Sequence, residues 1–79
     1  MKAKAAYDLI VTRESRAPAF LAPPDRRDRI EVVEIASGET VLLWDLPPRA
    51  ARRLARALRE DLLRLDADTF LATWREREP

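Results

Sequence analysis

The stretch Pro47 to Leu65, PPRAARRLARALREDLLRL, constrains this chain more than any other. At about 100° per residue, Ala51, Leu54, Ala55, Leu58, Leu62 and Leu65 fall on one stripe of a helix. Arg49, Arg52, Arg53, Arg56 and Arg59 fall on the opposite side. Pro47 and Pro48 suit the first turn, where a missing N–H breaks no helical hydrogen bond. A helix this one-sided must lay its leucine stripe on a second layer.

The preceding residues supply strands for that layer. Over Ala5 to Arg13, Tyr7, Leu9 and Val11 alternate with Asp8, Ile10 and Thr12, which predicts a strand. Arg29–Ala36 and Glu39–Leu46 flank Ser37-Gly38, which holds the chain's one glycine. A small polar residue before Gly between β-rich runs predicts a hairpin, because tight turns need positive φ. With a two-residue turn, Val33 faces Leu42 and Glu31 faces Trp44. On the reverse face Val32 meets Leu43 and Ile30 meets Asp45, with Glu34 opposite Val41. Neither face is then polar, whereas a half-exposed antiparallel sheet should alternate. One helix layer covers one face, which leaves either Ile30, Val32, Val41 and Leu43 or Val33, Leu42 and Trp44 without cover; the leftover face is expected to close on a second copy, with Ile30, Val32, Val41 and Leu43 as the expected interface.

Two segments interrupt these elements. Pro18, Pro23 and Pro24 exclude a central strand or helix interior from residues 14–28, which are expected to form a Pro-rich loop tacked down by Phe20 and Leu21. Continuing the long helix past Leu65 would turn Phe70, Leu71 and Trp74 to the arginine side. A break near Leu65–Asp68 is therefore expected, with Asp66 or Asp68 capping a short helix to about Arg75. Residues 75–79 should fray. The expected fold is a single α+β domain over residues 1–79. A three-stranded antiparallel sheet, built from a strand, a long loop and a hairpin, is covered by one long C-terminal helix plus a short terminal helix.

A domain of 79 residues buries only about 60% of its unfolded surface. The chain has no cysteine and no histidine, which removes disulfides, thiolate metal sites and the commonest remaining zinc ligand. Self-association is the remedy left, so a homodimer is expected. The opening MKAKAAYDLIV has only a brief apolar run, broken by Asp8, too short for a signal peptide or a spanning helix. A cytoplasmic location without a membrane partner is the expectation.

The same absences bear on chemistry. Without His or Cys there is no base or nucleophile suited to neutral pH. One glycine cannot build a phosphate-cradling loop, and the carboxylates do not follow the spacing of a calcium loop. No catalytic, cofactor-binding or metal-ligating residues are expected, and no enzyme.

Charge is the sharper signal. The net charge of +1 hides segregated blocks: residues 30–46 carry four acids and no base, residues 47–59 five arginines and no acid. Five cations in the first three turns oppose the helix dipole, at about 0.3–1 kcal/mol each, and only Arg56–Glu60 has i,i+4 spacing for compensation. Such a face can present arginine to carboxylates or to phosphates. The plain alternative is a solvated face, since thirteen arginines against two lysines is a compositional bias. A second cluster, Arg26, Arg27 and Arg29, is interleaved with Asp25 and Asp28 and largely cancelled. The leading expectation is a non-enzymatic homodimeric interaction or regulatory module, docking on an unknown protein through an apolar sheet face and the basic face of Arg49, Arg52, Arg53, Arg56 and Arg59. The alternative is a nucleic-acid-binding regulator with those arginines on phosphates. Near-zero net charge disfavours it, by removing long-range steering toward polyanions.

Overall fold

The computed structural model of the chain describes residues 1–13 and 27–78. Three strands, β1 (Tyr7–Arg13), β2 (Asp28–Glu34) and β3 (Thr40–Leu46), form an antiparallel sheet in the order β1-β2-β3. Three helices accompany them: α1 (Ala3–Ala6), α2 (Pro48–Arg64) and α3 (Ala67–Arg75). This is the expected α+β architecture, with helices on one face of the sheet. Most of the Pro-rich loop, including Phe20 and Leu21, lies outside the described residues.

α2 begins with Pro48 at its first position and buries Ala51, Ala55, Leu58 and Leu62, the predicted stripe, while Leu54 is half-buried. The break also falls where the apolar phase fails. Leu65 is extended, α3 restarts at Ala67, and Phe70 and Trp74 turn back into the core. Asp66 holds the N-cap position without capping through its side chain; its carboxylate lies 3.3 Å from the Met1 amino group. Asp61 fastens the two helices together, accepting from Trp74 Nε1 at 3.0 Å and from Arg64 at 2.9 Å. α1 replaces the first residues of the expected strand. The four residues AKAA favour a helical turn, and the Ala3 N–H donates to Leu65 O across the α2–α3 break.

The hairpin is present, but its register differs from the two-residue expectation. Five residues, Ile35 to Glu39, connect the strands. The Gly38 N–H donates to Glu34 O, Gly38 takes φ 75°, and the Ser37 hydroxyl bonds the Glu34 carboxylate. Val32 pairs with Leu42 and Ile30 with Trp44, and an irregularity at Val32/Val33 leaves Val41 as the extra residue of a bulge. A one-residue slip moves every side chain of a strand to the other face. Here it gathers Ile30, Val32, Leu42 and Trp44 on one side, all buried beneath the helices.

That register corrects the expected interface. Ile30 and Val32 are core residues with no exposure, Val41 packs against the same core, and Leu43 alone of the four lies on the outer face. The outer face mixes Asp8, Ile10 and Thr12 with Arg29, Glu31 and Val33 and with Leu43 and Asp45. Five of these eight positions are polar, with Ile10, Val33 and Leu43 as the apolar ones. The argument for dimerisation through a second apolar face therefore falls.

The C-terminal residues also depart from expectation. Of the expected frayed residues 75–79, Pro79 lies outside the described residues, while Arg77 O accepts from Trp44 Nε1 at 3.3 Å and the Glu78 carboxylate accepts from the Leu43 N–H at 2.8 Å. A buried indole needs an acceptor, and so does an outward N–H on an edge strand. Together these draw the chain back along β3, with the Arg77 guanidinium 4.8 Å from the Trp74 ring. Trp44 and Trp74 meet edge to face at 6.2 Å, which places both tryptophans in the core.

Candidate functional site

α2 does not cover the sheet evenly. Its second half offers Leu58 and Leu62, and α3 adds Phe70, whose ring stacks on Tyr7 at 5.7 Å and closes the start of β1. Its first half offers Ala51 and Ala55, which let the backbone approach but reach no further. Among the described residues no large side chain of α2 reaches the far end of β1, and Val11, on the helix-facing side, stays 38% exposed. A groove of about 540 Å³ results, floored by Val11, Ala51, Ala55 and Leu63.

Arginine forms the walls of this groove. Arg52, Arg56 and Arg59 descend from α2 and Arg13 rises from β1, against Glu60 and the buried Asp28. A smaller recess of about 350 Å³ continues it toward Lys4, Tyr7 and Leu9, with Arg59 and Leu63 common to both. The five arginines of the predicted basic face are thus divided. Three of them line the groove, while Arg49 and Arg53, also exposed, do not.

None of the five makes an ion pair among the described residues, and the Arg56–Glu60 pair that the spacing allows is not formed. The ion pair that α2 does hold, Arg64–Asp61, belongs to its last turn. The other basic cluster is used structurally. Arg27 donates to Asp45 O at 2.8 Å and Arg29 lies 3.3 Å from the Asp45 carboxylate, while Arg26 and Asp25 fall outside the described residues. Guanidinium groups beside an apolar floor keep much of their bidentate hydrogen-bonding capacity for an incoming carboxylate.

The sequence reading missed Arg13, Val11 and Leu63. Leu63 carried a signal, because it falls within the arginine arc of the helix and is 64% exposed. Arg13 and Val11 join the groove only through the tertiary placement of β1 beneath α2.

Other chemistry finds less support in the geometry. Among the described residues no three carboxylates converge as metal ligands, and no helix is long and apolar enough to cross a membrane. The described aromatic side chains, Tyr7, Trp44, Phe70 and Trp74, are all less than a tenth exposed. They leave no ring free to stack on a nucleobase. No family model, curated protein or solved structure matches this chain.

Proposed function

We propose that this chain is a non-enzymatic interaction module that docks on a partner protein through the groove between α2 and β1. The observation that carries the reading is the set Arg13, Arg52, Arg56 and Arg59, unpaired among the described residues and grouped around an apolar floor. A solvated charge face needs no such floor, and an apolar groove selects a ligand with apolar and anionic groups together. Nucleic acid is the poorer fit. Its affinity comes from phosphates along an extended backbone, and the four acids of residues 30–46 would repel a long polyanion.

The reading is tested by titrating the protein, at physiological salt, with a peptide of alternating glutamate and valine and with single- and double-stranded oligonucleotides. The peptide is expected to bind, and the double reversal Arg52→Glu/Arg56→Glu to weaken it at least about tenfold, or 1.4 kcal/mol, without changing the melting temperature. Both side chains are exposed, so the fold should not depend on them. An oligonucleotide bound at submicromolar Kd and lost in the reversal, with the peptide unbound, would establish the nucleic-acid function instead.

A further inference from the structure

We infer that the groove takes its ligand as an added strand: an extended acidic segment of a partner protein pairs with the outer edge of β1, which no strand of the described residues occupies, and turns alternate carboxylates toward Arg52, Arg56 and Arg59. This rests on the docking function proposed above and specifies its geometry.

The two edges of the sheet differ. The β3 edge is occupied where the Glu78 carboxylate accepts from the Leu43 N–H. At β1, the Ile35 N–H donates to Ala6 O, which fixes the alternation of the strand. Asp8, Ile10 and Thr12 then direct their backbone groups to β2, while Tyr7, Leu9, Val11 and Arg13 direct theirs outward. Two of these are satisfied locally, since the Tyr7 N–H donates to Ala3 O and the Leu9 N–H to the Asp8 carboxylate at 2.9 Å. The outward backbone groups of Val11 and Arg13 meet no strand among the described residues.

Those two residues also line the groove. A strand laid beside them would therefore extend the sheet beneath α2 and alternate its side chains between the groove and the outer face. Groove-facing positions meet four arginines against the two acids Glu60 and Asp28, with Val11 and Leu63 beside them, so the excess of cations calls for glutamate or aspartate with an occasional aliphatic residue. A second copy of this chain does not meet that requirement. Pairing β1 with its twin would bring two arginine walls together, and like charges oppose such a contact.

The test uses the glutamate–valine peptide in three forms: unmodified, backbone N-methylated at every glutamate, and backbone N-methylated at every valine. In an added strand the N–H groups of one set bond to β1 and those of the other face solvent. One N-methylated form should therefore lose at least tenfold in affinity by calorimetry while the other binds nearly as the parent does. The protein is unaltered throughout, so its folding does not enter. Equal binding by all three forms would overturn strand addition and leave docking on the groove intact. Absence of binding by the unmodified peptide at millimolar concentration would overturn both.

Discussion

Replacing Val32 with glutamate should unfold the domain, whereas the same change at Leu43 should leave it folded. Val32 has no exposure and sits in the middle of the central strand under α2. A carboxylate there would be desolvated without a partner, at a cost of about 3–5 kcal/mol or more. Leu43 is 37% exposed on the outer face, beside Glu31 in the central strand. Its change should stay within about 1 kcal/mol, the added repulsion from Glu31 included. The pair separates the two registers directly, because a two-residue turn would put Val32 and Leu43 opposite one another on one face. Circular dichroism in urea decides the matter. Equal destabilisation by both substitutions would favour the two-residue turn and restore the apolar second face.

Truncating Leu58 to alanine should cost about 2–5 kcal/mol. Leu58 is completely buried at the centre of the α2 stripe, between Ala55 and Leu62. Of its neighbours one turn away on α2, Ala55 is too short to fill the space, so the cavity term should persist. A domain of 79 residues at about 0.05–0.15 kcal/mol per residue holds roughly 4–12 kcal/mol in all. The loss is thus a large fraction of the whole, and the melting temperature should fall by many degrees. An unchanged melting temperature would mean that α2 does not pack on the sheet through this stripe.

The elements were legible in the sequence because each rests on a local pattern. The period of Leu54, Leu58 and Leu62, the phase error at Phe70 and Trp74, and the glycine between β-rich runs all act within a few residues. What was illegible depends on a choice between two nearly equivalent local options. Ser37-Gly38 is compatible with a two-residue turn or with a longer loop closed by Glu34 and Ser37. The decision falls to the pairing of Ile30 and Val32 with Trp44 and Leu42, a tertiary preference that turn chemistry does not contain. The two-residue register also put Ile30 and Val32 on an outer face, and with them the apolar interface that the observed pairing removes.

The basic face was half legible for a similar reason. Helical spacing places five arginines on one side, but not which of them overlook open space. Arg52, Arg56 and Arg59 acquire their common setting from Val11 and Arg13, some forty residues earlier in the chain. Leu63, exposed in their midst, is the apolar residue that helical spacing alone could have placed among them.

Amide chemical-shift mapping with the glutamate–valine peptide locates the binding surface. Progressive shifts are expected at Val11 and Arg13 on β1 and at Arg52, Arg56, Arg59 and Leu63 on α2, with Leu43 and Asp45 at the far edge of the sheet unmoved. Shifts centred on Leu43 and Asp45, with Val11 and Arg56 silent, would contradict the assignment of the groove.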